Sequence, residues 1–522
     1  MPIIHRQKLI EALNNPDKIW DVIIVGGGAT GLGTAVDAAS RGYQTLLLEQ
    51  ADFAKGTSSR STKLVHGGVR YLAQGDIGLV REALYERGLL LKNAAHLVKN
   101  ESFIIPNYQW WKGAYYSIGL TLYDLLAGKL SFGHSKHISK KETNDRLPGI
   151  KQQGLYGGVV YHDGQFDDAR LAVNLAQTCL EQGATVLNYF KVTGLLKENG
   201  KTTGVSATDV ETGIVYQLKS KAVINATGVF VDELMQQDEP HKKPLVRPSQ
   251  GIHIVIDKSF MPGNDALMIP ETDDGRVLFA VPWHGKLLIG TTDTPIDEHS
   301  LEPRALEEEI GFVMRNIGRY LTKAPERKDV LSIFAGLRPL AAPQEGKKGT
   351  KEISRRHKLI VSTSGLITIT GGKWTTYRRM AQDTVDKAIE TAGLDPRKCI
   401  TTTLPIHGNM KVVDRTDHLY VYGSDLDALL DLIRENPDLA EKLHPDLDYI
   451  KAEVVWAVRY EMARTVEDVL ARRVRVLFLD AKAAIKMAPV VAGLMAIELK
   501  KDKNWEASQA GEFIKLAKGY LL

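Results

Sequence analysis

Near the start of the chain the spacing of hydrophobic positions changes character twice within thirty residues. Asp21-Val-Ile-Ile-Val is a continuous apolar run, as expected of a strand covered on both faces. It breaks into Gly26-Gly-Gly-Ala-Thr-Gly-Leu-Gly, reopens as a predicted helix over residues 34–41, and gives way to a second strand over 43–49. Far downstream, Val223-Ile-Asn-Ala-Thr-Gly and Leu366-Ile-Thr-Ile-Thr-Gly-Gly-Lys-Trp-Thr-Thr-Tyr-Arg again run from an apolar strand into a small-residue turn. Between them, β-rich stretches at 247–257, 276–293 and 331–340 predict an inserted antiparallel sheet, and 344–358 reads as an exposed charged hairpin. Beyond about residue 399 the period becomes helical, over 425–436, 449–478 and 480–501. The pattern predicts an α/β chain of three parts. Residues 18–75, 155–240 and 330–395 form a discontinuous nucleotide-facing domain, 76–154 and 241–329 a substrate or cap domain, and 396–522 an all-helical C-terminal domain.

Length agrees with that division, since 522 residues at about 150 per domain make three or four domains. With 43% hydrophobic and 25% charged residues and a mean hydropathy of -0.17, the chain has the composition of a globular protein and not of a disordered one. Lys and Arg number 67 against 63 Asp and Glu, too close to balance for a nucleic-acid binder, so any anion recognition is local. Cys179 and Cys399 make neither a disulfide framework nor a metal site, which points to a reducing, cytoplasmic compartment. Residues 1–20 are interrupted by charges and lack the apolar core of a signal peptide, and no run of eighteen apolar residues predicts a spanning helix.

The glycine cluster carries the first chemistry. Gly26, Gly28 and Gly31 fill G-x-G-x-x-G between a strand and a helix, and Glu49 ends the next strand, which is the Rossmann-like dinucleotide arrangement. Gly26 permits the tight turn, Gly28 lets a pyrophosphate approach backbone N–H groups, and Gly31 lets helix and strand pack closely. Glu49 suits a ribose diol and disfavours a 2′-phosphate. The bland alternative is a glycine-rich turn without a ligand.

Thr57-Ser-Ser-Arg-Ser-Thr-Lys-Leu-Val-His-Gly-Gly-Val-Arg-Tyr-Leu closely resembles the flavin signature of FAD-dependent glycerol-3-phosphate dehydrogenases. The likeness continues in that family's order through Asp167-Asp-Ala-Arg-Leu, Asn225-Ala-Thr-Gly, Gly251-Ile-His-Ile-Val, Ile289-Gly-Thr-Thr-Asp, Ala335-Gly-Leu-Arg-Pro-Leu, Gly371-Gly-Lys-Trp-Thr-Thr-Tyr-Arg and Arg464-Thr-Val-Glu-Asp-Val-Leu-Ala-Arg-Arg. The resemblance implies an amino-acid-oxidase-like fold, an FAD held without a covalent bond, and oxidation of sn-glycerol 3-phosphate to dihydroxyacetone phosphate with electrons passed to a membrane quinone. It implies flavin contacts at Thr57, Ser58, Ser59, Lys63, Leu64, His66, Gly67, Ala226, Thr227, Gly228, Gly336, Gly372, Lys373 and Thr375. An oxygen-using glycerophosphate oxidase and a flavin-binding protein without turnover are the alternatives; amino-acid oxidation would leave the surplus cations unexplained.

Oxidising a secondary alcohol needs a base for the hydroxyl proton, a clamp on the substrate and a polarised acceptor. His66, flanked by glycines, is the candidate base, with a backbone-bonded structural histidine as the alternative; His253, on an alternating strand, is assigned a substrate contact. For the phosphate the candidates are Arg70, Arg355 and Lys373, with Arg356 chemically equivalent to Arg355, and Tyr71 offers a hydroxyl. Arg338, in an otherwise apolar run, needs a ligand or a carboxylate, and the resemblance places it beside the reacting hydroxyl. Gly371-Gly-Lys aims a helix end at the cofactor. No metal is expected. Finally, residues 110–130 combine Trp110, Trp111, Tyr115 and Tyr116 with Ile118, Leu120, Leu122, Leu125, Leu126, Lys112 and Lys129, which suits monotopic contact with the cytoplasmic face of a bilayer or, alternatively, a domain core. A homodimer is compatible with the sequence.

Overall fold

The computed structural model describes residues 3–68, 75–109, 111–128, 132–297, 299–341 and 357–522. The nucleotide-facing sheet runs in the order Lys358–Val361, Ile367–Thr370, Val215–Asn225, Ile19–Val25, Thr45–Leu48, Thr185–Leu187, and the hairpin Phe190–Glu198/Lys201–Asp209 adds to Val215–Asn225. Ile19–Val25 pairs in parallel with both neighbours, and Val22, Ile23 and Ile24 are fully buried, as a continuous apolar run requires of a strand covered on both faces. The first helix after it, Ala29–Ser40, begins five residues before the 34–41 prediction. Its opening turn, Ala-Thr-Gly-Leu-Gly, has too few large side chains to show a helical period. It is nearly all buried, between Asp168–Glu181 and Tyr377–Ala392, and a side chain at Gly33 would run into the Tyr377 ring.

The second sheet is mixed. It runs Thr294–Pro295, Val246–Asp257, Lys286–Gly290, Leu278–Trp283, Ala266–Ile269, Val98–Asn107, Gly157–Phe166, Leu64–Val65, with Val330–Ala341 on Val246–Asp257 and Lys136–Ser139 on Gly157–Phe166. Three strands that the sequence boundaries assign to the nucleotide domain, Leu64–Val65, Gly157–Phe166 and Val330–Ala341, therefore lie in this sheet, the last of them in keeping with the inserted sheet read over 331–340. A local strand signal does not name its partner strand, so only the pairing assigns these strands to a sheet. Alternation on Val246–Asp257 places Ile252, Ile254 and Ile256 in the cap core, while His253 stacks on Phe334, its register partner, on the other face.

The C-terminal part is helical, but 449–478 is not one helix. Lys451–Tyr460 ends at Glu461, Met462 turns with φ 57°, the chain re-forms as a wide-turned helix over Asp468–Arg473, and Arg475 turns again with φ 65° before Val476–Leu479. The breaks set Arg472 and Arg473 on buried Asp52, Arg472 also on Glu467 and Asp468, and Arg475 on Asp168 at 2.8 Å. A buried ion lattice thus welds this domain to the segments that carry the site. Of the two described residues of the 344–358 stretch, His357 and Lys358, the second begins a strand; residues 344–356 lie outside the described residues.

Candidate active site

Two adjoining cavities, of about 220 and 340 Å³, share a wall made by Thr57, Arg60, Leu337, Pro339 and residues 371–374. The first is built on the glycine turn. Gly26 has φ +109°, and a Cβ there would lie 2.6 Å from Ala226 O, so only glycine fits. A Cβ on Gly31 would overlap Gly26 O, which places Gly31 at the strand-to-helix contact and off the cavity surface. Gly28 caps the helix, whose first N–H, from Ala29, donates to Ser58 Oγ at 2.9 Å. Glu49 accepts from Gly27 N at 2.6 Å and Ala51 N at 2.9 Å; burial pushes its carboxyl up, and those two N–H bonds pull against it. Ala226, Thr227 and Gly228 line the same cavity. Thr57 donates to Leu337 O at 2.5 Å and Trp374 Nε1 to Ser58 O at 2.8 Å, so three distant segments are tied at the shared wall. A glycine cradle at a helix N-terminus with an acidic strand end is the donor and acceptor set an adenine dinucleotide needs.

The second cavity brings His66, His253, Arg338, Lys373, Thr375, Gly336, Gly372 and Leu64 together. Thr375 Oγ1 sits 3.2 Å from His66 N and 3.4 Å from His66 O, pinning that residue's main chain. His253 shares a hydrogen with Thr62 Oγ1 at 2.9 Å, and its ring lies opposite Gly290, where a Cβ would overlap the imidazole. Burial first, then the Lys63 and Arg338 charges, hold its pKa well below the usual histidine range, so it is a neutral ring. Arg338 donates from Nη2 to Thr291 Oγ1 at 3.0 Å and Thr292 O at 2.9 Å, and Nη1 lies 3.4 Å from Asp293 Oδ1. The carboxylate that an apolar run demanded for Arg338 is present, and the guanidinium still lines the cavity.

Several sequence candidates are placed elsewhere. Lys63 is buried with its ammonium on Asp168 Oδ2 and Ser59 O, both at 2.7 Å, beneath Trp283, Phe334 and Phe478; burial lowers its pKa to about 7 against the pull of Asp168. Ser59 supplies that carbonyl, and neither residue lines a cavity. Gly67 also lies off both cavities, and the space its missing Cβ leaves is filled by Leu84 and Tyr123, not by a ligand. Arg70, Tyr71, Arg355 and Arg356 lie outside the described residues. Sequence reasoning missed Arg60, Asp163, Arg276, Thr291 and Asp293, all cavity-lining. Thr291 and Asp293 stood in the quoted Gly-Thr-Thr-Asp motif; Arg276 follows an Asp-Asp-Gly turn that looks like ordinary surface. Neither cysteine lines a cavity, and among the described residues no cluster of His, Cys, Asp or Glu is arranged to hold a metal.

Comparison with known proteins gives the same picture over the whole chain. Residues 21–378 match the DAO family model, FAD dependent oxidoreductase, and residues 363–506 match the C-terminal domain of alpha-glycerophosphate oxidase. The chain is 39% identical over 534 residues to the probable mitochondrial glycerol-3-phosphate dehydrogenase of Caenorhabditis elegans, covering 96% of this chain and 73% of that one. It is 36% identical over 596 residues to the mitochondrial glycerol-3-phosphate dehydrogenase of Saccharomyces cerevisiae, covering 98% and 92%. The solved structure of the glycerol-3-phosphate dehydrogenase from Bacillus halodurans complexed with FAD superposes with a TM-score of 0.80 at 30% identity, over 99% of this chain and 97% of that one. Matched from the glycine turn to the helical domain, the chain belongs to the glycerol-3-phosphate dehydrogenase family of FAD-dependent oxidoreductases.

Proposed function

We propose that the protein oxidises sn-glycerol 3-phosphate to dihydroxyacetone phosphate and delivers the electrons to a quinone at a bilayer surface. The observation that carries the first half is the charge of the second cavity. Arg276, Arg338 and Lys373 line it, while Arg60 is held by Glu302 at 2.6 Å and the carboxylate of Asp163 by Arg87 at 2.8 Å, a cationic wall suited to a phosphate monoester. Bound FAD supplies the two-electron acceptor for the hydride of the substrate's C2–H bond. Within the chain, His66 is the group to accept the hydroxyl proton, its backbone fixed by Thr375. Arg338, held by Thr291, Thr292 and Asp293, is placed to steady the developing alkoxide. His253 presents a neutral ring, and Lys373 caps the short helix Trp374–Thr376 at the shared wall.

The second half rests on the helix Lys112–Ala127. Among the described residues no helix is long and apolar enough to cross a membrane. This helix, however, leaves Trp111, Ile118, Leu122 and Leu125 between 45% and 74% exposed on one side, while Leu120, Tyr123 and Ala127 are buried on the other. Its buried Leu120 packs with Phe103, Tyr161 and Met268, which also line the second cavity, so an apolar path leads from the cavity to the exposed face. Trp110 and Lys129 lie outside the described residues.

Anaerobic addition of glycerol 3-phosphate to the holoenzyme is expected to bleach the flavin; a persistent yellow colour would refute the dehydrogenase reading. Peroxide release in air without an added acceptor would instead assign the oxidase chemistry. Replacing Trp111, Leu122 and Leu125 with Ser should leave bleaching intact while abolishing flotation with liposomes and quinone reduction, and a variant that still floats would clear this helix of the role.

A further inference from the structure

The stretch that carries His66 is held from two sides. Thr375 takes the main chain of His66 from the side of the second cavity. From the other side, the N–H of Gly67 donates to Tyr123 Oη at 2.8 Å, and Tyr123 Oη lies 2.7 Å from Asp163 Oδ2. A phenol has one proton. Because an amide N–H can only donate, the Tyr123 oxygen must accept there, and its own proton goes to Asp163. Arg87 fixes that carboxylate from beyond, with Nη1 at 2.8 Å from Oδ1. All three side chains are buried, Tyr123 with 1% of its surface exposed, and burial pushes its hydroxyl well above the usual phenol value, keeping the proton in place. The approach is close enough that a Cβ on Gly67 would lie 2.5 Å from both Tyr123 Oη and Leu84 Cδ2. The Gly after His66 is thus explained by Tyr123.

We infer that Tyr123 is a positioning residue for the proton-accepting His66, acting through the Gly67 amide and aligned by Asp163 and Arg87. Among the described residues Tyr123 Oη is the acceptor of the Gly67 N–H, and a loop whose amide is released in a buried setting either reorganises or carries the cost of an unpaired donor. The inference rests on the reading of His66 as the base.

The test is Tyr123→Phe in the FAD-loaded enzyme, with Leu84→Ala as a neighbour that opens a hole in the same apolar cluster without touching the hydrogen bond. Tyr123→Phe is expected to slow flavin reduction at saturating glycerol 3-phosphate about tenfold, with the substrate concentration for half-maximal rate changed less than twofold, and to speed deuterium exchange in the peptide spanning 64–68. Leu84→Ala is expected to lower the melting temperature while leaving the reduction rate within twofold. In a His66→Ala background, Tyr123→Phe should add less than twofold, because its effect passes through the missing imidazole. An equal loss in both backgrounds, or a Tyr123→Phe enzyme that only melts earlier as Leu84→Ala does, overturns the inference. A parent enzyme that glycerol 3-phosphate does not bleach would refute the dehydrogenase reading instead, and the exchange of the 64–68 peptide would still decide whether Tyr123 holds the loop.

Discussion

The guanidinium of Arg276 reaches the second cavity from the turn that follows Thr272, with Nη1 donating to Asp293 O at 2.7 Å and Nε 2.8 Å from Asp274 Oδ2. Asp293 in turn meets Arg338 and Ser249, so two cavity cations are organised around one residue. Removing Arg276 both subtracts a positive charge from the wall and frees the carbonyl that orients Asp293. Charge-assisted hydrogen bonds of this kind contribute about 1.5–3 kcal/mol. Arg276→Gln is therefore expected to raise the glycerol 3-phosphate concentration for half-maximal flavin reduction by about tenfold or more, with FAD content unchanged. An unaltered half-maximal concentration in anaerobic stopped-flow would show that Arg276 serves only the 291–294 segment. The contrast with Arg338 is instructive. Both are arginines beside a cavity, but only Arg338 stood among apolar neighbours, where its need for a partner was visible in the sequence; Arg276 sits in a polar turn, and polar turns conceal function.

At the scale of elements, the wide-turned helix Asp468–Arg473 does more than pack. Asp52, just after the second strand of the nucleotide domain, receives Arg472 at 2.5 Å and Arg473 at 2.5 Å; burial alone would raise its pKa, but Arg473 and then Arg472 pull it down to about 2. Breaking a buried pair by removing one partner costs about 3–5 kcal/mol, because the other charge stays buried. Asp52→Ala should accordingly lower the urea midpoint steeply, whereas Glu441→Ala, which removes an exposed partner of Lys451, should change it little. Equal midpoints for the two variants would refute the weld. The same elements show what the sequence could and could not tell. The glycine turn, the two apolar strands and the Gly371-Gly-Lys junction were legible because each is local: a strand, a turn and a helix start within thirty residues. Helix 449–478 was read as continuous because its apolar residues keep a helical period through Met462 and Arg475. The turns there answer to Asp52 and Asp168, partners that no local window contains. For the same reason Lys63 read as a flavin contact, since its position in the signature was visible and its Asp168 partner, a hundred residues on, was not.

Over the whole molecule, two histidines on the seam between the nucleotide domain and the C-terminal part titrate in opposite directions. His407 bridges Glu181, on the helix Asp168–Glu181, and Asp425, with both contacts at 2.6 Å. Burial works against its charge, but the bonds to Asp425 and then Glu181 win and raise its pKa to about 9. His96, fully buried against Asn174, is driven the other way, to about 4, by burial. A raised folded-state value contributes stability that is fully present below the unfolded value of about 6.5 and is lost as pH rises toward 9. The lowered value of His96 contributes stability that is present above about 6.5 and is lost as pH falls toward 4. The contribution of His407 is on the order of 2 kcal/mol after discounting the exposed side of Glu181, and that of buried His96 is on the order of 3 kcal/mol. Stability should therefore pass through a maximum near neutrality, well above the range in which Asp52 titrates. His407→Gln is expected to flatten the alkaline limb of a melting-temperature profile between pH 6.5 and 9 and leave the acid limb in place, and His96→Asn to do the reverse. If both variants shift the whole profile by a constant amount, the two imidazoles pack but do not titrate, and the seam is indifferent to pH.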